Sequence, residues 1–288
     1  MAERVRVGDL ELAFRVWGEG RTTVLFIHGN LASKDWLERA APAIAPGIRV
    51  VAVDWRGCGD SDKPAPLPDF ANYSIARHAD DMLAALDALG IGFCHLATHS
   101  TGGIISTRML LKAPQRFGRV FSLSPVSPLS IRFTPEMTAG FGLMKSSRDI
   151  TRAVMATTMP RLFVPESLAP GKLAAFRADA ADAAALFERI VDQTFAVSDG
   201  IWFGTPYGLT AEYELGELKA RMGEIAHPHL VVWGEFDRII QRADLEAMAA
   251  GMPDCQFVVA PGAGHSLSLE RPEMYAGFFN AWFGGLTA

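Results

Sequence analysis

Hydrophobic positions along the chain fall into two alternating kinds of run. Residues 23–27, 49–53, 95–97, 120–123, 229–233 and 256–259 are short, nearly continuous apolar runs. Runs of that length predict strands buried on both faces, which have no polar side to show. Between them lie segments whose apolar residues recur at helical spacing. Within residues 73–89 the stripe is Ile75, Met82, Leu83, Leu86 and Leu89, with Arg77, Asp80, Asp81 and Asp87 on other faces and Gly90 closing the helix. Ile104, Ile105, Met109 and Leu110 form a second stripe that runs on to Lys112. Strands alternating with helices predict right-handed crossovers and a mostly parallel central sheet flanked by helices, an α/β fold.

Residues 128–215 interrupt this rhythm. They are rich in alanine, methionine and phenylalanine, and their strongest helical stripe is Phe176, Ala180, Ala183, Phe187, Ile190 and Thr194. An inserted helical segment is expected there, with most of its apolar residues used for packing. Glycine and proline in residues 54–64 predict a tight surface loop after the second strand.

Composition narrows the function classes. The chain has 288 residues and a formal net charge of -5, without a clustered basic stripe, which argues against nucleic acid as a partner. No apolar run is long enough to cross a membrane, and no membrane association is expected. The N-terminus lacks a basic segment followed by an apolar one, so no secretory signal is expected. Cys58, Cys94 and Cys255 are odd in number and widely spaced, which predicts reduced thiols and a cytoplasmic location.

Candidate chemistry lies at strand ends. Leu96-Ala97-Thr98-His99-Ser100-Thr101-Gly102-Gly103 sets one serine at a sharp turn between a strand and a helix. It nearly matches the G-x-S-x-G nucleophile elbow, with Thr98 at the first glycine position. Such a turn strains the serine backbone and brings strand and helix very close, hence the demand for small neighbours. A serine that merely caps a helix would give a similar local pattern. The strand at 229–233 runs into Gly234-Glu235-Phe236-Asp237, and the strand at 256–259 into Pro261-Gly262-Ala263-Gly264-His265-Ser266. Asp54, Asp60, Asp62 and Glu235 are competing carboxylates near strand ends. His78, on a helix, and His95, His227 and His229, at strand starts, compete weakly with His265. No pair of histidines has metal-ligand spacing with a carboxylate or cysteine, so no metal is expected.

Together these motifs resemble the α/β-hydrolase superfamily, whose nucleophile, acid and histidine follow in that order along the chain. The resemblance spans residues 23–272. It implies Ser100 as nucleophile, Asp237 as acid and His265 as general base, with no cofactor. It implies an oxyanion hole made by the backbone N–H groups of Thr101 and of Asn30, after His28-Gly29. His28 is expected to shape its loop by hydrogen bonding, and His99 to support the elbow. Residues 128–215 would be a helical cap between core segments 1–127 and 216–288, with Met137, Phe141, Met144, Phe163, Trp202 and Phe203 supplying the substrate pocket. Lys145, Arg148, Arg152 and Arg161 would form a solvated face or meet an acidic substrate.

A serine at position 100 speaks against the dehalogenases and epoxide hydrolases of this fold, whose nucleophile is aspartate. The strings His99-Ser100-Thr101-Gly102-Gly103 and Asp54-Trp55-Arg56-Gly57 are similar to those of cofactor-free haloperoxidases, esterases and lactonases. The expected function is hydrolysis of a carboxylic ester or lactone of a small to medium, largely apolar substrate, a small molecule being the expected partner. Alternatives are amide or carbon–carbon bond hydrolysis on the same residues, a cofactor-independent dioxygenase or lyase, and a ligand receptor. Oligomeric state is left open.

Overall fold

The apolar runs become the middle of one sheet. In this computed structural model, which describes residues 3–286, the strands are β1 (Glu3–Val7), β2 (Leu10–Trp17), β3 (Thr22–Ile27), β4 (Ile48–Val53), β5 (Cys94–His99), β6 (Phe117–Leu123), β7 (His229–Gly234) and β8 (Cys255–Ala260). They form one eight-stranded sheet in the order β1-β2-β4-β3-β5-β6-β7-β8. The pairs β1/β2 and β2/β4 are antiparallel, and every other pair is parallel. The amino-terminal hairpin has no long apolar run, because β1 buries only alternate residues, Val5 and Val7, and β2 buries only its middle, Leu12 to Phe14.

Consecutive side chains of a strand point to opposite faces, so an unbroken apolar run needs two cores. Leu25 and Ile27 of β3 join a cluster with Met82, Leu86, Ile105 and Met109, whereas Val24 and Phe26 join Leu37, Tyr275, Phe279 and Phe283. The first cluster sits under α1 (Ile75–Ala88) and α2 (Gly102–Lys112). Between β6 and β7 the chain first forms α3 (Pro135–Ser146), α4 (Arg148–Thr158), α5 (Ala184–Phe195) and α6 (Thr205–Leu215). The chain then adds α7 (Glu217–Ala220), α8 (Arg242–Gly251), α9 (Leu267–Glu270) and α10 (Pro272–Phe283), the last supplying the aromatic residues of the second core.

Three local expectations are corrected. Asp81 is buried rather than solvated. It lies three residues after the buried His78 and four before the buried Ala85 on α1, and its carboxylate accepts from Arg56 Nη2 at 2.8 Å. The loop at residues 54–64 is not a surface loop over its first half: Asp54, Trp55, Arg56 and Cys58 are all buried. Its polar groups find partners inside, since Asp54 accepts from the backbone N–H groups of Lys34 (2.6 Å) and Asp60 (2.9 Å). The stripe beginning at Phe176 is helical only from Ala178. Residues Ala178–Ala183 form a 3₁₀ turn ahead of α5, and Phe176 instead makes an antiparallel bridge to Phe163, their rings 4.5 Å apart.

Candidate active site

Three loops at the carboxyl ends of parallel strands converge, which is where an open α/β sheet carries its ligand sites. At the end of β5, Ser100 takes φ +53, a left-handed conformation uncommon for a side chain of this kind. Three backbone hydrogen bonds over-determine it. Its N–H donates to Leu123 O at 3.1 Å, and its C=O accepts from the N–H groups of Gly103 (2.9 Å) and Val126 (2.8 Å). The close approach is literal, because a Cβ on Gly102 would sit 2.2 Å from the Ile27 carbonyl oxygen. Thr98 fits the elbow without such a conflict. Its register partner on β6 is Ser122, and the Thr98 hydroxyl donates to Ser122 Oγ at 2.9 Å in a fully buried site.

Asp237 follows β7 and is buried. Its Oδ1 accepts from the backbone N–H groups of Ile239 (2.8 Å) and Ile240 (3.1 Å), and its Oδ2 accepts from His265 Nδ1 at 2.8 Å. Burial pushes the Asp237 carboxyl up, but the charge of His265 and these hydrogen bonds more than offset that, holding it below the ordinary carboxylate range. The Nδ1–H···Oδ2 bond leaves Nε2 as the other ring nitrogen. Ser100 and His265 line the same cavity, together with Asn30 and Thr101. Among the described residues, neither the Asn30 nor the Thr101 backbone N–H donates to a protein acceptor.

Two further histidines shape this site. His28 Nδ1–H donates to Gly29 O at 2.8 Å, and its Nε2 accepts from the Trp55 N–H at 3.2 Å. The Gly29 carbonyl and the Asn30 N–H belong to one trans peptide, so holding the carbonyl aims the N–H the opposite way. His99 Nε2–H donates to the carbonyl of His265 at 3.0 Å, and its ring lies between Trp36 and His265. It therefore supports the histidine loop more directly than the elbow. Burial lowers His28 to about 4 and His99 to about 3, so both rings are neutral near pH 7. His227 lies ahead of β7 rather than in it, bonded to Pro114 O at 2.9 Å.

The cavity has a volume of about 290 Å³ and is walled mainly by apolar side chains. Of the expected pocket residues it contains Phe141 and Met144. The other four lie elsewhere. Met137 is 44% exposed on α3. Trp202 is fully buried behind Phe141, meeting it edge-on at 6.5 Å. Phe203 packs under Lys145, and Phe163 joins Phe176 and Phe187 in the apolar centre of the helical insertion. Helical spacing alone does not say which side of a helix meets the core, so the two kinds of wall look alike in sequence. Trp36, Ile131, Phe133, Met155, Ile239 and Ile240 line the cavity unforeseen. Ile239 and Ile240 had a usable signal, since they lie two and three residues after Asp237.

Among the described residues, no lysine or arginine lines this cavity. Lys145 pairs with Asp199, Arg148 with Asp192 and Glu188, and Arg152 with Glu188. Arg161 lines a wider cleft of about 930 Å³ that shares Thr158, Ile239 and His265 with the cavity and also carries Arg177 and Arg238. Among the described residues, no three histidine, cysteine, aspartate or glutamate side chains group as metal ligands. Cys58, Cys94 and Cys255 are free thiols.

A sequence profile of the alpha/beta hydrolase fold matches residues 22–272. The chain is 30% identical over 267 residues to the dihydrolipoyllysine-residue acetyltransferase component of the acetoin cleaving system of Pseudomonas putida, covering 92% of this chain. It spans only 64% of that protein's length. It is 25% identical over 273 residues to the 2-hydroxy-6-oxononadienedioate/2-hydroxy-6-oxononatrienedioate hydrolase of Paraburkholderia xenovorans, covering 93% of this chain and 89% of that one. The solved structure of Est816, an N-acyl homoserine lactone degrading enzyme, aligns with a TM-score of 0.73 at 25% identity, over 97% of this chain and 100% of that chain.

Proposed function

The chain belongs to the alpha/beta hydrolase fold family, and from that premise we propose that it is a serine hydrolase cleaving a carboxylic ester or lactone through an acyl-enzyme. One observation carries the reading. Ser100, in a left-handed backbone conformation, shares an apolar cavity with His265, whose Nδ1 is bonded to the buried carboxylate of Asp237.

In this reading Ser100 Oγ attacks the carbonyl carbon while His265 Nε2 takes its proton, because a serine hydroxyl is a weak nucleophile near neutral pH. Asp237 holds the ring and stabilises the imidazolium that forms. The tetrahedral oxyanion meets the N–H groups of Asn30 and Thr101. Donors already aimed at the developing charge cost no reorganisation during the step. The alkoxide leaves with the proton from His265, and a lactone keeps that alcohol tethered. Water then attacks the acyl-enzyme with His265 again as base, and Ser100 regains its proton.

The cavity supports a neutral, apolar acyl group of small to medium size. The dienedioate named for the Paraburkholderia relative carries two carboxylates, for which the cavity itself offers no cation, the arginines Arg161, Arg177 and Arg238 lining the adjoining cleft instead. Residues 128–215 would act as a cap between core segments 1–127 and 216–288, of which residues 1–2 and 287–288 lie outside the described residues. Three free thiols support a reducing, cytoplasmic setting. Among the described residues no helix is long and apolar enough to cross a membrane.

Reaction with a small fluorophosphonate tests the reading, followed by intact mass, peptide mapping and turnover of p-nitrophenyl butyrate. The expected result is one adduct on Ser100, lost in His265→Ala, with multiple turnovers of the ester. Turnover that survives Ser100→Ala would overturn the acyl-enzyme and favour a base-only enzyme. A folded protein that binds the ester without turning it over would favour a receptor.

A further inference from the structure

We propose that Gln193 and Thr194, near the carboxyl end of α5, are positioning residues that hold the loop bearing Asn30 in a strained form and so aim its N–H at the oxyanion. The proposal rests on the serine-hydrolase reading above. It would make the helical insertion part of the catalytic apparatus as well as a wall of the cavity.

The strain is at Leu31, directly after Asn30. Leu31 has φ +56, a left-handed conformation that a branched apolar residue rarely adopts unless its surroundings impose it. Its carbonyl accepts from the Thr194 hydroxyl at 2.6 Å, and Thr194 is only 1% exposed. Two residues further on, the Gln193 amide spans the loop. The Ser33 hydroxyl donates to Gln193 Oε1 at 2.8 Å, and Gln193 Nε2 donates to Asp35 Oδ2 at 2.7 Å. The partners fix the amide's orientation, since a flipped amide would turn its oxygen against the Asp35 carboxylate.

The core grips the same loop from the other side. His28 holds the Gly29 carbonyl, and Asp54 accepts from the Lys34 N–H at 2.6 Å and from Lys34 Nζ at 3.0 Å. Asn30 and Leu31 therefore lie between two held peptides, Gly29–Asn30, whose carbonyl is fixed by the core, and Leu31–Ala32, whose carbonyl is fixed by α5. Without the Thr194 hydroxyl the second peptide is free to turn. Leu31 can then relax to a right-handed conformation and swing the Asn30 backbone with it.

Thr194→Val removes the hydroxyl while keeping shape. Removing an oxyanion donor outright costs about 10²- to 10³-fold in turnover, so misaiming one is expected to lower kcat about 10- to 100-fold. KM for p-nitrophenyl butyrate should change much less than kcat, because Leu31 is one wall residue among many and the others stay in place. The Ki for phenylboronic acid, which becomes a tetrahedral anion on the serine, should rise in step with the loss of kcat. Thr194→Ser should restore both. Gln193→Leu should shift both the same way, and it replaces Thr194→Val if that variant does not fold by circular dichroism. Unchanged kcat and unchanged boronate affinity in a folded variant would overturn the proposal. So would a kcat loss with no change in boronate affinity, or one that Thr194→Ser leaves unrepaired. A wild-type protein that neither turns over the ester nor binds the boronate would instead overturn the serine-hydrolase reading beneath it.

Discussion

Thr98 occupies a position where the elbow pattern has glycine, and its tolerance can be measured. Its hydroxyl and that of Ser122 face each other at 2.9 Å between β5 and β6, both at most 1% exposed, and Ser122 Oγ has no other hydrogen-bond partner among the described residues. Thr98→Val keeps the shape but strands the Ser122 hydroxyl in a dry interior. A buried hydroxyl left unpaired costs about 1–3 kcal/mol beyond the modest net value of the bond itself. A loss of about 2 kcal/mol is therefore expected for Thr98→Val, and a similar loss for Ser122→Ala, which strands Thr98 instead. Replacing both partners removes the unpaired group, so the double variant should lose less than the two singles added together, with a coupling of about 1–3 kcal/mol. Urea unfolding of the four proteins measures the cycle, and fluorophosphonate labelling of Ser100 is read alongside it. Additive losses, or a Thr98→Val variant as stable as the parent, would refute the idea that this pair accommodates the threonine. A stable variant that no longer labels would show that Thr98 acts on the nucleophile instead.

Asp237→Asn should lower kcat by about 10⁴-fold, the cost of the wrong histidine tautomer in a known serine protease, and a loss of less than ten-fold in steady-state turnover would sink the assigned role. Phe141→Ala should widen the cavity and move acyl preference toward longer chains; a methylene is worth about 1–3 kcal/mol of discrimination, and an unchanged chain-length profile would count against this wall. Burial lowers His28 and His229 to about 4 and His78 and His99 to about 3. The folded chain then binds fewer protons than the unfolded one, so the stability these rings contribute is complete above pH 6.5 and is lost as pH falls toward those values. Four such groups give a slope of roughly 5 kcal/mol per pH unit near pH 5, and equal urea midpoints at pH 7 and pH 5 would refute it. Glu270 has the opposite sign. Burial raises it to about 7 although it accepts from the Arg161 and Gly264 N–H groups, so its contribution is present at acid pH and fades as pH rises through 7. Glu270→Gln should flatten that fall in a denaturation series from pH 6 to 8.

Local chemistry was legible wherever it depended only on neighbours in the chain. The alternation of apolar runs with helical stripes follows from burial on two faces of a sheet, and each run carries that record in a few consecutive residues. Ser100, Asp237 and His265 stood out for the same reason, each a reactive side chain in the turn that follows such a run, with a glycine close by in the chain. The Ser100 turn even announces its geometry, since Gly102 is needed where the helix meets Ile27. Other features arise only when distant segments meet. Asp81 reads as a solvated charge until Arg56 folds in from another loop to neutralise it. Phe141 and Phe163 are equivalent as sequence, yet one walls the cavity and the other packs inside the insertion, because the rotation of a helix against its neighbours is set by the whole packing. Gln193 and Thr194 read as ordinary residues near a helix end until α5 docks on the loop around Asn30, 163 positions away from Thr194 at Leu31. Periodicity and turn chemistry are properties of short stretches of chain, so the sequence by itself determined the architecture and the strand-end positions of the reactive side chains. The cavity wall and the grip on the Asn30 loop depend on contacts between segments far apart in the chain, and only the tertiary structure decided them.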